Sequence, residues 1–291
     1  SDVLQIISEH AFNICVAGTH GKTTISTMAA HILRDTGFGC NAFLGGIASN
    51  YNTNFWSHER NCCVIEADEY DRSFLKLSPD VAVVSAMGPD HLDIYGTAED
   101  MEEAFIQFVG KIRKDGVLIS KKGLKRERNL ITNNSITYLT YHREDTNADV
   151  YAKNMRVVEG AYVFDLMYRG EEIREVVLNM GGLHNVENSI VAMAVALWLK
   201  IDPVKIKQAV ASFRGVKRRF EYIVKQDNVV MIDDYAHHPQ ELRWLITSVK
   251  ELYPDRTCLV VFQPHLFTRT RDLADGFAEV LDLADEVMLL P

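Results

Sequence analysis

Apolar residues along this chain fall into short continuous runs separated by polar, glycine-bearing turns. The first run, Phe12–Ala17, predicts a strand of the buried kind, because a strand covered on both faces reads as unbroken apolar sequence. Residues 25–35 follow as a helix, ended by Gly37 and Gly39, after 1–10 as a helix end or linker. Residues 40–44 predict a short strand leading into Gly45-Gly46, and 50–60, polar with turn-forming asparagines, a loop. Residues 61–67 and 80–86 are further buried strands, Ala98–Val109 a helix and 117–120 another strand. Strands alternating with helices predict a largely parallel α/β sheet. Ligands of such sheets gather at the carboxyl ends of the strands.

The pattern changes after residue 135. Runs rich in β-formers (136–141, 150–157, 162–168, 173–179) surround Arg169-Gly170-Glu171-Glu172 and predict a small antiparallel sheet with a hairpin. Residues 185–200 form a helix whose second half is almost wholly apolar, so it belongs to the core; 203–213 form another. A domain boundary is expected near Gly215, dividing 1–214 from 215–291. Beyond it, 220–224, 229–233, 257–262 and 286–290 predict strands, and Pro239–Leu252 and 273–283 helices. A last strand with nothing to cover it reads as a truncated domain.

Composition narrows the class. A chain of 291 residues has room for about two domains. Its net charge of −9 argues against a nucleic-acid surface. The one basic cluster, 121–128, reads as a solvated loop. Five cysteines include no C-x-x-C pair, and strand geometry sends Cys62 and Cys63 to opposite faces, so all five are expected to be free thiols. No charged-then-apolar leader opens the sequence and no run approaches membrane-spanning length. The sequence therefore reads as a cytoplasmic protein that contacts neither nucleic acid nor membrane.

Candidate chemistry starts where the first strand ends. Gly18-Thr19-His20-Gly21-Lys22-Thr23-Thr24 lies between a strand and a helix, the layout of a phosphate-binding loop. Backbone N–H groups and the helix N-terminus cradle phosphate oxygens there. The lysine reaches the outer phosphates and Thr23 can hold Mg²⁺. The general form of this loop has a glycine where Val16 stands, so the match is to a shorter form. Strand 61–67 ends in Glu66, Asp68, Glu69 and Asp71. Glu66 is the natural oxygen ligand for Mg²⁺, and His91 follows the next strand end. Alone, the acidic group would read as an exposed turn and His91 as a hydrogen-bonded structural histidine. Asn185 and Asn188 share a helix face after Gly181-Gly182, as an N-cap or as readers of an adenine edge. Lys217-Arg218-Arg219 is either a solvated basic turn or a source of Arg219 for phosphates on domain closure. Asp234 to Pro239 and Gln263 to Arg271 are polar strand-to-helix turns, with Asp234 as a possible helix cap.

Taken in order, Gly-Thr-His-Gly-Lys-Thr-Thr, Glu-Ala-Asp-Glu, Asp-His-Leu-Asp, Gly-Leu-His-Asn-Val-Glu-Asn, Arg-Arg-Phe-Glu, Tyr-Ala-His-His-Pro and Gln-Pro-His resemble the Mur ligases of bacterial cell-wall synthesis. The resemblance runs from about Phe12 to Pro291. It implies a central ATPase domain followed by most of a Rossmann-like C-terminal domain, with the family's N-terminal UDP-binding domain absent. It also implies ATP and Mg²⁺ as cofactors and an amide ligase acting through an acyl phosphate. Gln263-Pro264-His265 with Thr268-Arg269-Thr270 points to the member that joins L-alanine to UDP-N-acetylmuramate. By motif position, Lys22, His91 and Arg219 resemble the catalytic groups. Thr23 and Glu66 resemble ligands of one Mg²⁺ and His91 of a second. Asn185, Asn188 and Asp234 resemble nucleotide contacts. Tyr235, His237, His265 and Arg269 resemble the alanine and product pocket. The chain departs from the family at Leu266, where an arginine is common, leaving carboxylate binding to Arg269 or Arg271. Lys111 is out of register for the carbamylated lysine of several members. The competing expectations are a ligase attaching a whole tripeptide to the same sugar nucleotide, and a nucleotide-binding regulator without ligase chemistry. Folylpolyglutamate synthase shares the architecture but fits the histidine-bearing loops poorly.

Overall fold

Unbroken apolar runs become the central strands of a ten-stranded sheet covered on both faces. The computed structural model describes residues 2–88, 92–131, 135–264 and 267–290, without the side chains of Asp2, Leu92, Asp93 and Arg269. Helix α1 (Asp2–Ser8) precedes strand β1 (Phe12–Ala17) and helix α2 (Lys22–Asp35). Strands β2 (Asn41–Ala48), β3 (Thr53–Trp56), β4 (Cys62–Glu66) and β5 (Val81–Val84) follow, then helices α3 (Leu92–Tyr95) and α4 (Ala98–Val109). Strands β6 (Val117–Lys121), β7 (Thr137–His142), β8 (Val150–Val158), β9 (Ala161–Tyr168) and β10 (Glu171–Leu178) lead to helices α5 (Leu183–Trp198) and α6 (Pro203–Ser212). The strand order is β10-β9-β8-β7-β6-β5-β1-β4-β2-β3. β1 has β4 on one side and β5 on the other, both parallel to it. That reversal of strand order opens a crevice at the carboxyl end of β1.

Alternation along single strands separates the two cores. Ile14 and Val16 of β1 join α2, α5 and α6 in one apolar cluster. Cys15 and Ala17 join Met101, Ala104, Phe105 and Phe108 of α4 in the other. Cys62 and Cys63 divide the same way, and all five cysteines are buried and free, as expected. The α4 pattern (101, 104, 105, 108) is one helix face, started by Thr97, whose hydroxyl accepts from the Asp100 N–H at 3.1 Å.

Several expectations need correction. Helix α2 starts at Lys22, not Ile25, because the loop's lysine and threonines form its first turn. Residues 53–56 are not loop: Asn52, at φ 54°, turns the chain so that β3 pairs antiparallel with β2 at the sheet edge. β2 itself continues through Gly45-Gly46 to Ala48. The antiparallel strands β8, β9 and β10 exist, hinged by Glu159-Gly160 and by Arg169-Gly170 with both φ positive in each turn. They continue the main sheet, and β7 runs parallel to both neighbours.

The remaining chain forms a smaller body. Strands β11 (Glu221–Lys225) and β12 (Val230–Asp233) make an antiparallel ribbon ahead of helix α7 (Pro239–Leu252). Strand β13 (Leu259–Phe262), helices α8 (Phe267–Asp272) and α9 (Ala274–Leu281) and strand β14 (Glu286–Leu289) complete it, with β14 parallel to β13. Residues 267–272, expected within a polar turn, are therefore helical. The expected helix 273–283 is shorter and starts after Leu273. The core of this body is Leu242, Ile246, Cys258, Phe262, Phe277, Val280 and Leu281. Helix α7 faces two ways: Leu242 and Ile246 enter that core, while Leu245, Leu252 and Tyr253 pack on the larger domain. The Phe220 ring seats against Gly181, where any Cβ would collide with it.

Candidate active site

The turn after β1 is built from glycines that nothing else can replace. Gly18 has φ 134°, and a Cβ there would lie 2.7 Å from the Ala86 nitrogen and closer still to the Ser85 hydroxyl. Gly21 has φ 84°, and its Cβ would meet Asn188 Oδ1 at 2.8 Å. Positive φ and close approach together demand glycine. The end of β5 straps the turn in place: the Thr19 N–H donates to the Ala86 carbonyl at 3.2 Å, and the Gly88 N–H to Thr19 Oγ1 at 3.3 Å. The Ser85 hydroxyl donates to the carbonyl of His20. Val16 is a fully buried strand residue paired with Glu66, so the loop begins only at Gly18. Thr24 is buried in the first turn of α2.

Two carboxylates, Glu66 at the end of β4 and Glu69 in the turn after it, meet this loop. The Thr23 hydroxyl donates to Glu66 Oε1 at 2.8 Å. Glu66 Oε2 accepts from the Gly45 N–H at 2.8 Å and the Ser26 hydroxyl at 3.5 Å. Lys22 Nζ donates to the Gly18 carbonyl at 3.0 Å and to Glu69 Oε1 at 2.6 Å. Glu69 is 0% exposed; burial raises its pKa, and the ammonium of Lys22 opposes that. Sequence reading placed Glu69 only in an acidic turn. Its one signal was position, three residues after Glu66. Thr23 and Glu66 form a pair of hard oxygen donors beside a phosphate loop, which fits Mg²⁺, an ion that keeps waters and phosphate oxygens as its other ligands. Among the described residues no group of three or more His, Cys, Asp or Glu forms a metal cluster. His91, expected as a second ligand, lies outside the described residues.

The N-terminus of α5 closes another side. Its N-cap is Gly182, at φ 91°, so neither asparagine caps the helix. Asn185 Nδ2 donates to the Gly181 carbonyl at 2.7 Å and Asn188 Nδ2 to Asn185 Oδ1 at 3.1 Å. Both are buried, with Asn188 against Gly21. Trp244 of α7, which sequence reading missed, has the His20 ring at 6.4 Å and the His184 ring at 6.2 Å. It ties the phosphate loop, α5 and the smaller body together. Desolvation lowers the His184 pKa to about 4, with the Arg219 charge adding to the effect and Glu187 opposing it. The ring keeps surface open to the cleft, and solvent there screens part of that shift.

Arg219 is exposed between Arg218 (φ 57°) and Phe220 (φ 48°). Asp234 is bound up in this bend: its carboxylate accepts from the Phe220 N–H at 2.7 Å and the Ala236 N–H at 2.8 Å. Burial raises the Asp234 pKa, while these hydrogen bonds and Arg219 lower it. Asp234 is not the cap of α7, since His238 accepts from the Gln240 N–H there. Tyr235 and His237 face each other at 5.2 Å between ring centroids, and His237 Nδ1 donates to the Tyr235 carbonyl at 2.8 Å. His265, Leu266 and the Arg269 side chain lie outside the described residues. The structure thus brings Thr23 onto Glu66 and Lys22 onto Glu69, sets Asn188 against Gly21 with Asn185 beside it, and leaves Tyr235 and His237 on the smaller body.

Comparison with known proteins agrees along the whole chain. Residues 16–196 match the Mur ligase middle domain, and residues 218–291 match the Mur ligase, glutamate ligase domain. A UDP-N-acetylmuramate–L-alanine ligase of Parabacteroides distasonis is 49% identical over 292 residues, covering 99% of this chain and 62% of the relative. One of Flavobacterium johnsoniae is 44% identical, covering 100% of this chain and 62% of the relative. The crystal structure of UDP-N-acetylmuramate-alanine ligase MurC from Thermotoga maritima superposes with a TM-score of 0.84 at 28% identity, covering 99% of this chain and 63% of that one. This chain therefore spans about 62% of the length of the curated relatives it matches.

Proposed function

The chain belongs to the Mur ligase family, and from that premise we propose that it is the ATP-binding and amino-acid-binding part of a UDP-N-acetylmuramate–L-alanine ligase. In this reading the lactyl carboxylate attacks the γ-phosphorus of ATP, ADP leaves, and an acyl phosphate results. The amine of L-alanine then attacks the acyl carbon, phosphate departs and the new nitrogen loses its proton. The observation that carries the proposal is the contact pair at the end of β1: Lys22 on Gly18 and Glu69, Thr23 on Glu66. The names of the relatives supply the choice of substrates.

Each residue takes the task its position allows. Lys22 and the N–H groups of 18–24 gather the phosphates. Thr23 and Glu66 would hold Mg²⁺, which when bound would neutralise phosphate charge. Arg219 supplies a further positive charge as the smaller body closes, and His91 belongs to a second metal. Asn185 and Asn188 serve the nucleotide through the back of the loop, and Asp234 fixes the bend that presents Arg219. Tyr235, His237, His265 and Arg269 are assigned to the alanine pocket by their motif positions, the arginine as the residue type suited to a carboxylate. The proposed boundary between the two domains is near Gly215, and the proposed location, in keeping with such substrates, is the cytoplasm. No helix among the described residues is long and apolar enough to cross a membrane.

The test is phosphate release from ATP by the full-length protein with UDP-N-acetylmuramate, varying only the amine donor. Release that requires L-alanine supports the proposal. Release only with a tripeptide moves the assignment to a recycling ligase, and no release with any donor leaves a nucleotide-binding protein.

A further inference from the structure

We infer that Glu69 is a positioning residue for Lys22: its buried carboxylate holds the ammonium within the phosphate loop until a nucleotide phosphate takes it over. The inference rests on the reading of Lys22 as the phosphate-binding lysine and deepens it. A lysine ammonium has three N–H donors and no acceptor. Two are engaged, by the Gly18 carbonyl at 3.0 Å and Glu69 Oε1 at 2.6 Å, which leaves one to offer a phosphate. Both contacts come from rigid places. Gly18 is fixed by its fit against Ser85 and Ala86. The backbone carbonyl of Glu69 accepts from the Tyr95 hydroxyl at 2.6 Å and from the Arg72 N–H at 2.9 Å, and Arg72 lies over the Tyr95 ring at 4.8 Å. The flexible stem of Lys22 is therefore aimed by two anchors in the turns that follow β1 and β4.

Stability alone does not account for Glu69. Its side chain is 0% exposed, and Oε2 is buried with no hydrogen-bond partner among the described residues. An orphaned acceptor is a cost to the fold, and an apolar residue of similar size usually serves a core as well as a buried ion pair. Glu66, three residues earlier, is fully engaged by neutral donors from Thr23, Gly45 and Ser26. The two carboxylates thus have separate tasks: Glu66 faces the hydroxyl, and Glu69 balances the only charge that the loop carries toward phosphate.

The experiment is Glu69→Gln, read for Mg-ATP affinity in this chain and for alanine-dependent phosphate release in the full-length protein. With the competing charge gone, ATP is expected to bind several-fold tighter. With Lys22 no longer aimed, kcat is expected to fall about 10- to 100-fold, the scale of losing the partner that orients a ligating group. A part in the fold alone would instead lower affinity, kcat and Tm together, and that result overturns the inference. So does an affinity and kcat both within twofold of the parent. Should the Gln protein not fold, Glu69→Asp keeps the charge but withdraws it by one methylene. The expected result is then unchanged affinity with reduced kcat, and an unchanged kcat overturns the inference. Lys22→Ala separates this from the reading beneath it: if that variant binds ATP like the parent, the phosphate loop itself is misassigned. If it loses ATP while Glu69→Gln behaves like the parent, only the inference about Glu69 fails.

Discussion

The two bodies of this chain bury their apolar residues to different depths. In the larger one, the strands around the phosphate loop are sealed: β1 and β5 lie between two helical layers, with Ile14, Val16, Val83 and Val84 wholly out of solvent. In the smaller one, Leu259, Val261 and Leu289 of β13 and β14 are 53%, 55% and 62% exposed. A sealed frame can hold Gly18 and Gly21 in conformations that only glycine tolerates and keep Lys22 within hydrogen-bonding reach of two anchors. The smaller body docks through α7 and the Phe220–Gly181 contact and carries Tyr235 and His237 on the loop between β12 and α7, where side chains adapt more readily than inside a sealed sheet. The chemistry proposed here divides between the two, with phosphates on the larger body and the amine donor on the smaller one.

The comparison breaks most readily in the cores. Phe105 is fully buried and packs edge-on against Phe74 at 5.4 Å between centroids. Phe105→Ala is expected to cost about 4 kcal/mol in denaturant unfolding, within the usual range for such truncations. Phe277, 6% exposed in the small core beside Phe262, is expected to cost about 3 kcal/mol when replaced by Ala, the low end of that range. Equal costs would show that the smaller body is as firmly packed as the larger.

Next in size is the loop itself. Gly18→Ala forces a Cβ into the Ser85–Ala86 backbone at φ 134° and is expected to cost about 2 kcal/mol of stability, with loss of ATP binding by calorimetry. Retained binding would mean that the turn can relax, contrary to the stiff frame. A smaller effect is expected at the junction. Asp234→Asn weakens the carboxylate's hold on the Phe220 and Ala236 N–H groups, for a loss of about 1 kcal/mol by thermal unfolding. Arg219-dependent kcat should fall more than Lys22-dependent ATP affinity.

The mildest sharpening is by pH. His31 is buried in the larger body, with Nε2 donating to the Ala209 carbonyl at 2.8 Å and Nδ1 accepting from the Tyr51 hydroxyl at 2.8 Å. Burial lowers its pKa, so the unfolded chain binds this proton more readily than the folded one. Its contribution is complete above the unfolded value, about 6.5, and is lost as pH falls below it. Unfolding midpoints measured from pH 8 to 5 should decline, and His31→Gln should flatten part of that decline. An unchanged slope in the variant would show that His31 is protonated in place.

Local chemistry explains what was legible beforehand. Gly18, Gly21 and Lys22 announce a phosphate loop because backbone geometry permits few other residues there. The apolar runs of β1, β4 and β5 announce strands buried on both faces, and Pro239 the start of α7. What stayed hidden depends on distant partners. β3 is a polar edge strand, so Thr53 and Asn54 look like loop until β2 supplies their hydrogen bonds. β7 alternates like the antiparallel run β8, β9 and β10 that follows it, and only the path of the chain makes it parallel to both its neighbours. Glu69 differs from Asp68 and Asp71 in burial alone, and Trp244 reaches His20 and His184 from a different domain. Neither property is written in neighbouring residues.

The most direct measurement of the central claim is calorimetric titration of ATP into this chain, with and without Mg²⁺, alongside Lys22→Ala and Thr23→Val. The account predicts ATP binding that strengthens with Mg²⁺ and is lost in Lys22→Ala. In Thr23→Val, binding survives but no longer responds to Mg²⁺. Binding that ignores both substitutions would contradict the account, because the end of β1 would then not be where the nucleotide sits.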